Sequence, residues 1–253
     1  MLITFNHKNQ SYQTNLSEPI DISIPLESGK NTVNCFYAPL METSPVIAGD
    51  FIGSTQEGGV VNFLNVRLNP HGNGTHTECV GHIAKEKYTI NKSLLNFHFP
   101  AKLVSLYPTK LSNGDRVILK TQVEEVLVEN EVEVIIIRTL PNEEDKLSRH
   151  YSGINPPYVD HQAIAYLVSC GINHLLIDLP SVDREEDGGK MLSHKAFWQY
   201  PDKVRKNATI SELVFVKNET KDGLYLLNIQ IASFEIDASP SKPVLYKLKP
   251  VIA

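Results

Sequence analysis

The amino-acid sequence predicts a mixed α/β fold with few helices. Segments rich in Val, Ile, Leu, Tyr and Phe, a composition typical of β-strands, outnumber the segments with helical periodicity. Strand and helix segments do not alternate in a regular βαβ order, so we expect a mixed α/β or α+β domain rather than a barrel of repeated units. Proline and glycine are scattered and no repeat or low-complexity tract is present, which predicts a single domain over residues 1–253.

Six segments are predicted to be β-strands because they are rich in β-branched, aromatic and leucine side chains. Residues 134–137 are continuously apolar, which favours a strand that is covered on both faces. The last segment is long and partly alternating, which is typical of a sheet with one less buried face. The predicted strands are residues 60–68, 101–107, 132–138, 174–178, 212–217 and 224–236.

Two helices are predicted from capping residues and apolar spacing. Asp160 can cap a helix over residues 161–169, whose apolar positions form one stripe and which would end at Gly171. Ser193 can cap a shorter helix that runs through Trp198 and stops before Pro201.

Composition and charge exclude several classes of protein. Hydrophobic residues are 42% and charged residues 21% of the chain, which argues against disordered and fibrous proteins. Lys+Arg 24 against Asp+Glu 29 leaves no basic excess, so we expect no nucleic-acid partner. No apolar run reaches the roughly 18 residues of a spanning helix, so we expect no membrane partner either. Three widely spaced cysteines and the lack of a signal-peptide pattern predict a cytoplasmic protein.

The most informative segment is the histidine cluster at residues 69–82, with the sequence Asn-Pro-His-Gly-Asn-Gly-Thr-His-Thr-Glu-Cys-Val-Gly-His. His76, Glu78 and His82 are separated by even steps, so they would project to one side of an extended chain. The glycines at 72 and 74 allow a tight turn that would bring His71 toward them. Imidazole and carboxylate donors suit Zn²⁺, Mn²⁺ or Fe²⁺. Spacing alone is equally compatible with a polar network that stiffens a loop.

This segment resembles the signature of the cyclase family of metal-dependent hydrolases, which includes bacterial kynurenine formamidase and isatin hydrolase. Members carry His-x-Gly-Thr-His-x-Asp-x-Pro-x-His, and residues 74–76, 78 and 82 fall in the same register. Residues 171–183, Gly-Ile-Asn-His-Leu-Leu-Ile-Asp-Leu-Pro-Ser-Val-Asp, are similar to the family's Gly-Ile-Asp-x-Pro-Ser-Val-Asp, and residues 210–213 to its Val-Glu-Asn-Leu. Residues 136–139 and 237–240 match further segments, so the similarity runs in family order from about residue 20 to about residue 245.

The resemblance implies a role for each matching residue. His194 resembles the family histidine that opens the helix after the segment 171–183. The implied metal ligands are His71, His76, Glu78, His194 and Glu212. Glu78 would be shared by two metals, and His82 would be the general acid/base rather than a ligand. The resemblance also implies a swivelling β/β/α architecture, one or two divalent ions per chain, with Zn or Mn expected, and assembly as a homodimer or homotetramer.

The chain departs from the family signature at three positions. Glu78 stands where the family has aspartate, and its extra methylene moves the carboxylate by about 1.5 Å. Val80 replaces the proline, and His71 lies five rather than four residues before His76. A single metal ion, a different metal or loss of activity are therefore open alternatives.

The chemistry that the resemblance implies is hydrolysis of an amide, formamide, cyclic imide or lactone in a small molecule. Metal-activated water would be the nucleophile and His82 would transfer the protons. The alternative is a non-catalytic metal-bound scaffold or small-molecule binding protein derived from such hydrolases, which the Glu78 departure favours.

The remaining polar candidates are interpreted as structural. Asp178 and Asp183 flank a turn and are expected to cap it, and Cys79 is expected to be a buried structural thiol. Four further histidines match no motif position of the family and are expected in surface or packing roles: His98, His150, His161 and His174.

Overall fold

The computed structural model describes residues 1–251, and β-strands form most of its regular structure. The strands are β1 Leu2–His7, β2 Gln10–Asn15, β3 Ile20–Asp21, β4 Glu42–Pro45, β5 Ile47–Ala48, β6 Phe51–Ile52, β7 Leu64–Arg67, β8 His76–Glu78, β9 His98–Leu106, β10 Thr109–Lys110, β11 Arg116–Ile118, β12 Val134–Thr139, β13 Tyr158–Val159, β14 His174–Ile177, β15 Thr209–Glu212, β16 Gly223–Ile231, β17 Ala238–Lys247 and β18 Lys249–Pro250. The α-helices are short: α1 Pro70–Asn73, α2 Ile90–Ser93, α3 Lys120–Val126, α4 His161–Ser169 and α5 Leu192–Trp198.

Seven strands close into a barrel in the order β16, β9, β12, β14, β15, β8 and β17, and β17 pairs back with β16. The run from β9 through β12 and β14 to β15 is parallel, whereas the other pairings in the ring are antiparallel. β3 is added to β17 outside the ring. The expected mixed α/β fold with few helices is confirmed, and its barrel is not built from repeated βα units.

The strand β12 contributes to two hydrophobic cores, one inside the barrel and one between the barrel wall and the helices. All its residues are buried, as its continuous apolar run predicts. Because side chains alternate along a strand, Val134 and Ile136 join the core inside the barrel, whereas Ile135 and Ile137 join the core beneath the helices. Burying such a side chain contributes about 1.5–3 kcal/mol to the stability of the fold.

The helix α4 matches its prediction residue for residue. Asp160 is its N-cap and accepts a hydrogen bond from the Gln162 amide at 2.7 Å. Its apolar stripe, which includes Ile164 and Leu167, packs in the core beneath the helices. For the second helix the predicted cap is wrong, because α5 begins at Leu192 and Ser193 lies inside it, donating its hydroxyl to the Val159 carbonyl at 2.7 Å.

Two predicted strands are misplaced. The predicted strand 212–217 is instead Thr209–Glu212, and the chain turns at Leu213, where φ is +54°. Val214 and Val216 remain in the core inside the barrel, which explains why that segment has the composition of a strand.

The predicted strand 60–68 is regular only at Leu64–Arg67. It belongs to an arm, residues 42–67, in which β7 pairs with β4 and β6 pairs with β5. Every residue of β7 is exposed, so its apolar side chains do not contribute to the barrel core.

None of the helices in residues 1–251 has the length and apolar content that crossing a membrane requires.

Candidate metal centre

The centre is built on two neighbouring strands of the barrel, β8 and β15. They are antiparallel, and the register places Glu212 opposite His76 and Ile210 opposite Glu78. His76 and Glu78 are two residues apart and therefore share a face, as the spacing predicts. The Nε2 atom of His76 lies 3.5 Å from Oε2 of Glu212. All three side chains are buried.

His71 reaches this face from the short helix α1. Asn69 caps the helix by accepting a hydrogen bond from the Gly72 amide at 3.0 Å, and Pro70 occupies its first turn. Position 72 must be glycine, because a Cβ there would lie 2.2 Å from the Cβ of Ala38. This helical turn absorbs the additional residue between His71 and His76, and it brings Nδ1 of His71 to 3.1 Å from Oε2 of Glu78.

His194 enters from α5, on the opposite side of Glu78. Its Nε2 lies 3.1 Å from Oε1 of Glu78 and 3.8 Å from Oε1 of Glu212. The Asp183 carboxylate caps this helix by accepting hydrogen bonds from the amides of Ser193 and His194, at 2.7 and 3.1 Å. It also contacts Nδ1 of His194 at 2.6 Å, which sequence reasoning missed by assigning Asp183 only to capping.

His82 reaches the centre by a different path from the one predicted. The chain stays extended through β8 and Cys79, and a 3-10 helix, Val80–His82, then turns it back. Nδ1 of His82 lies 3.8 Å from Oε2 of Glu78. The His82 ring centroid is 4.3 Å from that of His71 and 5.4 Å from that of His194. At 29% exposure, the His82 side chain is the most accessible imidazole of the group.

Asp237 is a further member of the centre that sequence reasoning did not single out. Its Oδ2 atom lies 2.8 Å from Nε2 of His71 and 3.4 Å from Nδ1 of His82. It immediately precedes β17, where Ala238 is paired with Glu78. Its only sequence signal is its place in the segment 237–240 that matches the family, and its contact with His71 becomes visible once β8 and β17 are known to pair.

The predicted ligands His71, His76, Glu78, His194 and Glu212 therefore lie together. Three triads offer one donor atom per residue within 4.8 Å of one another: His71, His76 and Glu78; Glu78, His82 and His194; and His71, His82 and Asp237. Which of these residues ligate a metal, and whether His82 is instead the acid/base, stay predictions.

The residues fit a divalent metal ion. Three buried side-chain polar atoms have no hydrogen-bond partner among the described residues. Two of them, Nε2 of His76 and Oε2 of Glu78, face the cluster, and the third is Oγ of Ser241. An unsatisfied buried polar atom is costly, which favours a ligand at the two atoms that face the cluster. For Oε2 of Glu78 a close neighbour is Nδ1 of His71, 3.1 Å away, which is itself a metal-ligating type of atom. Imidazole and carboxylate groups are ligands of Zn²⁺ and Mn²⁺. The second ring nitrogen of His76 contacts the Gly74 carbonyl at 3.0 Å, an anchor that metal-binding histidines commonly have.

Neighbouring carboxylates outweigh the effect of burial on the pKa values of two imidazoles. Burial by itself would lower the pKa values of His71 and His194, but the hydrogen bonds and charges of their carboxylate neighbours raise both to about 10. Burial would raise the pKa of Glu78, but the neighbouring imidazoles of His82, His194 and His71 hold it well below its usual range. A metal ion entering this cluster would replace the imidazole protons, so its binding would release protons.

The other histidines lie away from the centre. His174 is buried against the Phe99 ring and contacts the Thr209 hydroxyl at 2.8 Å, and burial lowers its pKa to about 4. The ring of His150 contacts the Lys30 carbonyl at 3.0 Å, and that of His98 contacts the Asn228 side chain. Cys79 is buried in the core inside the barrel, as expected for a structural thiol.

Fold and site together define a mixed-barrel protein with a candidate metal centre. The chain belongs to the Cyclase family, whose model matches residues 20–184. This confirms the resemblance seen in the sequence. No curated protein matches the chain in sequence.

Solved structures with the same fold cover nearly the whole chain at low identity. One is described as a potential metal-dependent hydrolase with cyclase activity, with TM-score 0.67, 17% identity, and coverage of 90% of this chain and 97% of its own. A predicted metal-dependent hydrolase from Bacillus stearothermophilus has TM-score 0.61, 17% identity and coverages of 90% and 98%. An isatin hydrolase bound to the product analogue thioisatinate has TM-score 0.64, 15% identity and coverages of 92% and 93%.

Proposed function

We propose that the protein is a metal-dependent hydrolase of a small-molecule amide, formamide, cyclic imide or lactone. The observation that carries the proposal is a pair of buried side-chain atoms without a hydrogen-bond partner, Nε2 of His76 and Oε2 of Glu78, within a cluster of imidazoles and carboxylates. Solved structures with the same fold as this chain include proteins described as metal-dependent hydrolases and an isatin hydrolase, which supports hydrolysis as the reaction class. Zn or Mn is the expected metal, with one or two ions per chain.

His71, His76, Glu78, His194 and Glu212 would hold the metal. When bound, a divalent ion polarises a carbonyl group and makes water nucleophilic near neutral pH. Glu78 would serve two ions if two bind, because its two oxygens face different imidazoles: Oε1 faces His194 and Oε2 faces His71.

His82 would carry the protons of the reaction. Its Nδ1 faces Asp237, and no hydrogen bond within residues 1–251 engages its Nε2, which is therefore available to a water molecule or substrate. A histidine can take a proton from water and return it to the leaving nitrogen or oxygen, because its unperturbed pKa is near 6.5.

Metal analysis and turnover on one preparation test this proposal. Protein purified without chelator is expected to contain about one or two transition-metal ions per chain and to hydrolyse isatin, N-formylkynurenine or a simple lactone. Chelation should abolish turnover, and Zn²⁺ or Mn²⁺ should restore it. Bound metal without turnover of any of these compounds would favour the non-catalytic alternative, and protein that takes up no metal would overturn the proposal.

We also propose that the chain forms a homodimer or homotetramer through the apolar arm, residues 42–67. Two-stranded sheets are marginally stable when nothing packs on them, and large exposed apolar patches typically mark interfaces. Leu64 and Val66 lie on one face of β7 and are 50% and 55% exposed. Further apolar side chains of the arm that are exposed are Ile47, Phe51, Val60, Val61 and Phe63.

Lysines introduced on the exposed apolar face of β7 should weaken the association of the subunits. Leu64→Lys combined with Val66→Lys is expected to raise the subunit dissociation constant by at least about tenfold, roughly 1.4 kcal/mol, measured by light scattering over a dilution series. Val128→Lys is the matched control, since Val128 is 62% exposed and lies outside the arm. A monomeric wild-type protein, or an oligomer that the arm variant leaves intact, would contradict this interface.

We place the protein in the cytoplasm. All three cysteines are free and buried, which is the usual state in a reducing compartment.

A further inference from the structure

We propose that Asp237 is a positioning residue of the metal centre, whose single oxygen Oδ2 holds His71 and His82 side by side. In this arrangement His71 presents Nδ1, rather than Nε2, to Glu78. The inference rests on the proposed function, because it concerns how that centre is assembled.

His71 contacts a carboxylate with each of its two ring nitrogens. Oδ2 of Asp237 lies 2.8 Å from Nε2 of His71, while Nδ1 of the same ring lies 3.1 Å from Oε2 of Glu78. A neutral imidazole has one N–H donor and one acceptor nitrogen. If Nε2–H donates to Asp237, Nδ1 keeps its lone pair and faces the centre.

The His71 ring is oriented differently from the rings of His76 and His194, and Asp237 is the group that sets this orientation. His76 and His194 are anchored through Nδ1, by the Gly74 carbonyl at 3.0 Å and by Asp183 at 2.6 Å, and both direct Nε2 inward. His71 is anchored through Nε2 and directs Nδ1 inward. The Asp237 carboxylate therefore lies where an N–H at Nε2 of His71 needs an acceptor.

The same oxygen also places His82. It lies 3.4 Å from Nδ1 of His82, and the rings of His71 and His82 are tilted by 31° with centroids 4.3 Å apart. Asp237 therefore links a predicted ligand to the predicted acid/base. Its removal would loosen both rings at once.

The backbone holds Asp237 in this position. Its carbonyl accepts a hydrogen bond from the Cys79 amide at 3.0 Å, and the next residue, Ala238, is paired with Glu78. Gly81 permits the close approach, because a Cβ at that position would lie 2.3 Å from the Tyr88 carbonyl oxygen and 3.2 Å from the Cβ of Asp237. Asp237 is thus fixed to β8 on one side and to the turn that carries His82 on the other.

The test compares zinc affinity and the cobalt spectrum of three full-length proteins: wild type, Asp237→Ala and Glu235→Ala. Glu235 is the matched control, since it belongs to the same loop but bonds Thr89 and Asn91. Zinc affinity is measured by competition with a chromogenic chelator. We expect Asp237→Ala to weaken zinc binding by about 10–100-fold, as loss of a group that orients a ligand commonly does.

The visible spectrum of the Co²⁺-loaded proteins reports the geometry around the ion. We expect it to change in Asp237→Ala and to stay at the wild-type form in Glu235→Ala. Should Asp237→Ala not fold, the isosteric Asp237→Asn decides, with weaker zinc binding and an altered cobalt spectrum as the expected result.

The outcomes separate this inference from the proposed function. Wild-type protein that binds zinc, together with a folded Asp237 variant of unchanged affinity and cobalt spectrum, would overturn the positioning role alone. Loss of one whole equivalent of metal would also overturn it, by making Asp237 a ligand. Wild-type protein that binds neither zinc nor cobalt would overturn the proposed function and this inference with it.

Discussion

Replacement of His82 by alanine should lower kcat by about 10²–10⁴-fold while the metal remains bound. This is the usual loss when a positioned general acid/base is removed. The side chain is partly exposed and lies 3.8 Å from Glu78, so it can reach a reacting group beside the centre. Metal content, melting temperature and turnover measured on one preparation check the result.

His161→Ala is the control for the His82 variant. His161 begins α4, and its side chain is 47% exposed, so its removal takes away an imidazole without touching the centre. If His82 only supported its loop, His82→Ala would cost about 1 kcal/mol of stability and leave turnover per folded molecule unchanged. Lost metal would instead make His82 a ligand, as its place in two of the triads allows.

His194→Ala and Glu212→Ala should lose metal far more completely than any variant outside the centre. Both side chains are buried, and the imidazole of His194 lies between Glu78 and Asp183. Removing that imidazole takes a predicted metal ligand out of the centre and removes the side chain that lies between these two carboxylates. We expect zinc affinity to fall by more than the roughly 10–100-fold that loss of an orienting neighbour causes.

Alanine variants of histidines outside the centre are the controls for this loss of metal. His98→Ala and His161→Ala should retain metal as the wild type does, because neither ring contacts the centre. Equal metal retention in all four variants would mean that the residues matched at 194 and 212 do not ligate, in spite of their position. Metal analysis after extensive dialysis distinguishes the two results.

The local parts of the fold could be predicted from the sequence. The helix His161–Ser169 follows from a capping aspartate and an apolar stripe, and the buried strand Val134–Thr139 follows from an unbroken apolar run. The shared face of His76 and Glu78 follows from their spacing within one strand. The prediction for residues 212–217 failed because packing between distant segments decided the outcome: Val214 and Val216 are apolar because they fill the barrel, although the strand has already ended at Glu212.

The sequence by itself determined the family, the histidine cluster and the types of donor that it offers, because these depend on residues close together in the chain. Only the tertiary structure decided which carboxylates meet those histidines. Asp237 contacts His71 across 166 positions, and His194 contacts Glu78 across 116. Such contacts depend on β8 lying between β15 and β17 in the closed barrel. Strand pairing is set by packing of the whole chain, so spacing within a motif specifies its donors and leaves their partners to the fold.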